Sequence, residues 1–193
     1  MTAYAGMDSL LRSQIIQTYV DYVRYHIQYV KKAWGILKVA LKNHNVIYDD
    51  FLFWAIDGMI ASHDSSKFSQ EEFIPYADWF YGPYGCKYEM LADAEHLSDH
   101  KECFSRFNSA REHHKANNPH HWQNWTKRGE TFPNETACHI VCMVADWMAM
   151  SMVKGGTAEE YYAKLRNQMA LPDWADTFLA EIFIALRNFG AVK

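Results

Sequence analysis

Residues 62–68 read Ser62-His63-Asp64-Ser65-Ser66-Lys67-Phe68 and follow directly on an apolar segment. A histidine and an aspartate side by side can place an imidazole nitrogen and a carboxylate oxygen on a divalent metal ion. Lys67 follows closely enough to hold an anionic substrate. The stretch therefore predicts a fold built around a metal site and a metal-dependent enzyme, provided that other segments supply further ligands.

Helical patterns lie on both sides of this stretch. From residue 9 to about residue 43, apolar residues recur every three to four positions, which predicts one long amphipathic helix with His26 on its buried stripe. A second helix, predicted over residues 49–62, ends at His63-Asp64. No strand pattern or repeat is present, so we expect an all-α helical bundle with a metal site in its core, folded as a single domain over residues 1–193.

Further helices are predicted downstream. Ser69-Gln70-Glu71-Glu72 fits a capping box, which gives Glu72 a structural role at the start of a helix over residues 70–80. Residues 86–99 are acidic and irregular, and we expect a mobile loop there. Pro133 opens a helix that ends at Gly155-Gly156. The remaining predicted helices span residues 102–115, 158–169 and 173–188, and the last two are predicted to serve packing alone.

Composition limits the class of protein. The net charge of −4 argues against a large nucleic-acid interface, because such domains are usually basic. No apolar run reaches the roughly 20 residues that cross a bilayer. Four cysteines without a paired framework and no recognisable signal peptide predict reduced thiols and a cytoplasmic location. Composition leaves the formation of a homo-oligomer open.

Four side chains of metal-ligand type are predicted to face the core: His26, His63, Asp64 and Asp146. Asp146 stands among apolar neighbours in the helix that Pro133 opens, and a buried carboxylate needs a partner. We therefore expect one or two divalent ions as cofactor. The sequence does not distinguish Mn, Fe, Co, Mg, Ni and Zn.

Two histidine doublets, His113-His114 and His120-His121, stand between these ligands in the chain. Neighbouring residues on a helix point about 100° apart, so one doublet supplies two different ions, or one ion and one substrate group. This geometry favours a site larger than mononuclear.

The order His26, His63-Asp64, Asp146 resembles the H…HD…D signature of the HD-domain superfamily, which consists of helical metal-dependent phosphohydrolases and their relatives. The run from His63 to Lys67 resembles the HDxGK form of the dinuclear branches, in which a histidine doublet precedes the last aspartate. From about residue 25 to 152 the chain also resembles a phage- and bacteria-encoded family of unknown function that carries HDxSK(F/Y)S, HH…N.HH..W and an aspartate helix. For a phage protein, the cytoplasm would be that of the host.

The chain also departs from these patterns. Ser66 replaces the glycine of HDxGK, and residues 118–122 lack the Gly-Tyr-Pro signature of cyclic-dinucleotide enzymes, which disfavours that substrate. His96 or His100 is a candidate for the additional histidine of the dinuclear branches. The nucleotidase branch often carries a glutamate where Lys67 stands, so the identity of a general base stays open.

The resemblance implies a phosphohydrolase acting on a nucleotide or another small phosphoester. Asp64 would bridge two ions, and Lys67 would neutralise charge on a phosphate oxygen. The full predicted site comprises Lys67 and Asp64 as catalytic residues, His26, His63, Asp64, Asp146, His113 and His114 as metal ligands with His120 and His121 as further candidates, and Lys67, His120, His121 and Trp122 as substrate-binding residues.

Two other functions are compatible with the same residues. An HD-type di-iron oxygenase that cleaves a C–C or C–P bond would share the ligand order and the lysine. A non-catalytic nucleotide-binding protein could keep the scaffold without turnover. Metal content and dependence on O₂ separate the first from a hydrolase.

Overall fold

The computed structural model describes residues 9–86, 96–126 and 133–190, and all regular secondary structure in these ranges is helical. This finding confirms the prediction of an all-α fold. The helices are α1 (Ser9–Asn43), α2 (Asp50–Ala61), α3 (Phe73–Tyr81), α4 (Leu97–Asn117), α5 (Trp122–Thr126), α6 (Pro133–Lys154), α7 (Ala158–Leu165) and α8 (Asp173–Asn188), with 3₁₀ turns at Ser65–Phe68 and Arg166–Gln168.

Most helix boundaries agree with the sequence pattern, but α4 begins at Leu97, within the segment predicted as a loop. Asp99 lies in its first turn, where a negative charge favours the positive end of the helix dipole. The acidic composition therefore extends the helix instead of interrupting it. Residues 87–95 of the predicted loop lie outside the described residues.

The chain forms two compact units, each made of two segments. Unit 1 combines the chain up to Tyr25 with Asp64–Asn117, and unit 2 combines His26–His63 with the chain from Asn118 onward. The single domain expected over residues 1–193 stays a prediction.

Unit 1 has an aromatic core in which α3 packs on α4. Trp79 stacks on Phe107 with ring centroids 5.0 Å apart, and Tyr76 meets the same ring edge-on at 5.2 Å. Tyr19 of α1 is fully buried, and its ring centroid lies 6.3 Å from that of Tyr76. Aromatic pairs of this kind contribute about 0.5–1.5 kcal/mol beyond the area that they bury.

Unit 2 is built around α6, which contacts α2, α5, α7 and α8. Within the described ranges, α6 is the one helix that is long and apolar enough to cross a membrane. However, 67% of its most apolar stretch of 18 residues is buried inside the structure. It therefore looks like the core helix of a soluble protein. The cytoplasmic location stays a prediction.

Candidate metal centre

Three predicted ligands meet in unit 2. The Nε2 atom of His26 lies 3.0 Å from Oδ1 of Asp146, and the Nε2 atom of His63 lies 3.7 Å from the same oxygen. The two Nε2 atoms are 3.4 Å apart. Both histidines are buried, and the Asp146 side chain is 16% exposed, so this carboxylate stays partly accessible to solvent.

Two of these separations, 3.0 and 3.4 Å, match those of ligands that share a metal ion, and the third, 3.7 Å, is slightly longer. Ligand atoms bound at about 2.1 Å to one ion lie roughly 3.0–3.4 Å apart in octahedral or tetrahedral geometry. The three donor atoms all lie within 4.8 Å of one another, with the separations given above. Two imidazoles and one carboxylate are also a donor set that Zn²⁺, Mn²⁺ and Fe²⁺ accept.

Local structure explains why each side chain reaches the cluster. His26 lies on the face of α1 that carries Val30 and Ala33, both fully buried. Ser62 ends α2, where its backbone N–H bonds the carbonyl groups of the last turn, and His63 follows at once. Asp146 extends from the core helix α6. The cluster therefore depends on three separate elements of unit 2.

The Asp146 carboxylate is held in its charged form. Burial alone would raise its pKa, but the hydrogen bond from His26 and the nearby imidazoles of His63 and His120 lower the pKa well below its usual value. A carboxylate that stays ionised at every physiological pH is ready to bind a cation.

The second doublet lies beside this cluster. The ring centroid of the buried His120 lies 4.0 Å from that of His63, and the ring centroid of His121 lies 4.3 Å from that of His120. His121 and Asp146 both line a pocket of about 250 Å³ at the junction of α6 and α7. The two histidines therefore differ: His120 packs against a candidate ligand, whereas His121 faces the pocket.

The same pocket brings in residues that the sequence pattern did not identify. Helix α7 was predicted to serve packing alone, but Glu160, Tyr161 and Lys164 line the pocket together with Lys154 from the end of α6. An exposed Lys164 and a half-exposed Tyr161 on a short helix look in sequence like a solvated face. The Gly155-Gly156 pair, which reverses the chain between α6 and α7, was the sequence feature that could have indicated this pocket.

A separate buried network occupies unit 1. Lys67 donates to Oδ2 of Asp64 at 2.6 Å, and Nε2 of His114 lies 3.3 Å from Oδ1 of the same carboxylate. The Nδ1 atom of His114 lies 2.8 Å from Oε2 of Glu72, and Nδ1 of His113 lies 2.8 Å from Oε1. Glu72 thus holds both histidines of the first doublet.

This arrangement corrects the role predicted for Glu72. Helix α3 begins at Phe73, and the Glu72 side chain makes no capping hydrogen bond. Its carboxylate is fully buried and also accepts a hydrogen bond from Ser66 at 3.0 Å. A carboxylate that binds Nδ1 of a histidine fixes the tautomer and orientation of the ring, as the outer partners of metal-binding histidines do.

Charge balance explains how unit 1 tolerates these groups. Burial would lower the pKa of His114, but hydrogen bonds to Asp64 and Glu72 raise it. Burial would raise the pKa of Glu72, but hydrogen bonds from His114, His113 and Ser66 lower it. An imidazolium and Lys67 then balance two carboxylates, as buried charges require.

Asp64 has an unusual backbone. Its φ of 58° and ψ of 16° lie in the left-handed region, which non-glycine residues seldom adopt. Aspartate and asparagine tolerate this conformation better than other side chains. The turn at Asp64 leads directly into the 3₁₀ helix that carries Lys67.

The other predicted site residues have defined surroundings. Trp122, at the start of α5, packs half-buried against the hydrophobic core of unit 2. His96 stacks on Tyr84 at 5.3 Å, and Nδ1 of His100 lies 3.0 Å from the Tyr84 carbonyl oxygen. Roles in metal or substrate binding for these residues, and for Asp64, Lys67, His113 and His114, stay predictions.

Comparison with known proteins gives a family. A family model described as "Family of unknown function (DUF5662)" matches residues 15–183. Searches of curated proteins and of solved structures gave no match. The resemblance to the HD-domain superfamily therefore stays a prediction. Because the family model covers most of the sequence, the chain belongs to DUF5662, a family of unknown function.

Proposed function

We propose that the protein is a metal-dependent phosphohydrolase that acts on a nucleotide or another small phosphoester. The observation that carries the proposal is the convergence of His26, His63 and Asp146 from three elements, at separations that suit one divalent ion. Asp146 also lines a pocket, and this position supports access for a substrate.

The donor set suits hydrolysis. A divalent ion with three protein ligands keeps open positions, lowers the pKa of bound water and polarises a phosphoryl group. His26 and His63 each have Nε2 directed at the site, and Asp146 supplies the negative charge that retains a cation. His120 packs on His63 and restricts the orientation of that ring.

The test combines metal content with turnover. Protein loaded with Mn²⁺ under nitrogen is assayed for phosphate release from nucleoside phosphates and simple phosphomonoesters. His26→Ala, His63→Ala and Asp146→Asn should lose the ion and lower turnover by at least about 10³-fold, because the metal supplies most of the catalysis. His44→Ala removes an exposed histidine of unit 2 outside the cluster and should behave like the wild type.

A second candidate function follows from the same donors. Two histidines and one carboxylate with open positions also form the ligand set of non-haem Fe²⁺ oxygenases. An oxygenase acting on a C–C or C–P bond would contain iron as purified and would consume O₂. Phosphate release without O₂ excludes this candidate, whereas metal binding without turnover in either condition favours a non-catalytic binding role.

A further inference from the structure

We propose that the pocket at the junction of α6 and α7 binds a small organic phosphate, with its phosphate group between Lys154 and Lys164 and its organic part against Trp147 and Tyr161. This inference rests on the proposed function and adds to it the position and chemical class of the substrate. The pocket belongs entirely to unit 2.

The backbone brings the two lysines to one pocket. Lys154 is the last residue of α6, and Gly155 and Gly156 follow with φ of 82° and 78°. This left-handed pair reverses the chain, and Thr157 then caps α7. Lys164, near the end of α7, lines the same pocket as Lys154. A lysine ammonium group is a mobile point charge that suits a phosphate.

The charge of the pocket depends on the metal. Two lysines face two carboxylates, those of Asp146 and Glu160. The Glu160 carboxylate is engaged in the cap of α7, where it accepts from the backbone N–H of Thr157 at 2.9 Å. With a divalent ion on Asp146 the pocket becomes net positive, so an anion should bind well only when the metal is present. By thermodynamic linkage, the anion then strengthens metal binding by the same factor.

One wall of the pocket is apolar and aromatic. The rings of Trp147 and Tyr161 lie 5.5 Å apart, and Met150 lines the same cavity. The Tyr161 hydroxyl is protonated at neutral pH, as an ordinary phenol is, and supplies a hydrogen-bond donor. These features suit the planar or apolar part of a phosphate ester.

The volume limits the size of the ligand. The pocket measures about 250 Å³, below the range of roughly 300–1,000 Å³ that is usual for drug-sized ligands. A phosphomonoester with one ring fits this volume. An oligonucleotide or a long polyphosphate does not.

The experiment measures binding apart from turnover. Phenylphosphonate, a phosphate ester mimic that resists hydrolysis, is titrated by calorimetry under nitrogen into the Mn²⁺-loaded full chain. Lys154→Gln and Lys164→Gln should each weaken binding about tenfold and leave Mn²⁺ affinity within threefold of wild type. Lys32→Gln removes an exposed lysine of α1 outside the pocket and should change neither value. Removal of Mn²⁺ should weaken phenylphosphonate binding at least tenfold.

The outcomes separate this inference from the proposed function. Protein that takes up Mn²⁺ but binds phenylphosphonate equally well with and without the two lysines overturns the pocket assignment and leaves the hydrolase proposal intact. Protein that binds phenylphosphonate through both lysines but releases phosphate from no ester supports the pocket and overturns the hydrolase. Failure of the wild type to bind phenylphosphonate also overturns the pocket assignment.

Discussion

The Nε2 atoms of His26 and His63 lie 3.4 Å apart, although 37 positions separate the two residues in the chain. Both atoms also lie close to Oδ1 of Asp146. Each of these ring nitrogens donates or accepts according to the tautomer of its imidazole. A metal ion would use the lone pairs of both nitrogens together with the Asp146 carboxylate.

Metal binding should therefore stabilise the fold. At a free Mn²⁺ concentration of about 100 times the Kd, linkage predicts a gain of about 2.7 kcal/mol, which corresponds to a rise in Tm of roughly 5–10 °C for a chain of this size. Differential scanning fluorimetry with and without EDTA measures the shift. His63→Ala should abolish it, and His44→Ala should retain it. No shift with Mn²⁺, Fe²⁺, Co²⁺, Mg²⁺, Ni²⁺ or Zn²⁺ would contradict the candidate centre.

Glu72 should be more important for stability than its neighbour Glu71. Glu72→Gln leaves a buried network with an uncompensated positive charge, and we expect a loss of roughly 3 kcal/mol in the free energy of unfolding. Glu71→Gln is the matched control, because this side chain is exposed, and its stability should stay close to that of the wild type. Urea unfolding at pH 7 compares the two. Equal stabilities would show that the Glu72 contacts with His113 and His114 contribute little.

Asp176 and Tyr162 should produce stability changes at opposite ends of the pH scale. Hydrogen bonds from Arg166 and Tyr162 to Asp176 lower the pKa of Asp176. The stabilisation that this carboxylate provides is then complete above its unfolded pKa, near 3.8, and is lost as the pH falls through the lower folded value. Burial and the Asp176 contact raise the pKa of Tyr162 to about 12, so its contribution persists below pH 10 and is lost as the pH rises through 12.

Denaturation at several pH values tests the lowered pKa of Asp176. The stability difference between the wild type and Asp176→Asn should be constant from about pH 5 to pH 9 and shrink below pH 4. Its size will be modest, because the side chain is 37% exposed. A difference that grows on acidification would have the wrong sign.

Two glycines should respond in opposite ways to alanine. A Cβ at Gly85 would lie 2.0 Å from the backbone carbonyl oxygen of Trp79, so Gly85→Ala should cost at least about 2 kcal/mol. A Cβ at Gly58, within α2, would meet nothing within 4 Å. Gly58→Ala should therefore stabilise the protein by about 0.5–1 kcal/mol. Thermal or urea unfolding measures the stability of both variants. Equal changes in the free energy of unfolding would contradict the local geometry at the two glycines.

Much of the fold could be predicted, because helical periodicity is a local property. The apolar stripe of α1 is enough to indicate His26, and the apolar neighbours of Asp146 in α6 are enough to indicate that residue. A polar side chain on an otherwise buried face needs a partner, and that requirement can be read from sequence.

Other parts of the site depend on contacts that no local pattern contains. Glu72 fits a capping box in sequence, yet it binds His113 and His114, which lie 41 and 42 positions away. The buried Glu72 carboxylate forms stronger hydrogen bonds with the two imidazoles than it would with the backbone N–H groups at a solvent-exposed helix end. Lys154 and Lys164 were missed for a related reason, since only the reversal at Gly155-Gly156 directs both to one pocket.

The left-handed backbone of Asp64 limits how the role of that residue can be tested. Alanine at this position would remove the carboxylate and also strain the main chain, so a loss of function would have two explanations. Asparagine keeps the shape and tolerates a φ of 58°, and glycine relieves the backbone without any side chain. Asp64→Asn, Asp64→Gly and Asp64→Ala all remove the charge, but only alanine strains the main chain at this φ. Comparing the first two variants with alanine therefore separates the loss of the carboxylate from the strain of the backbone.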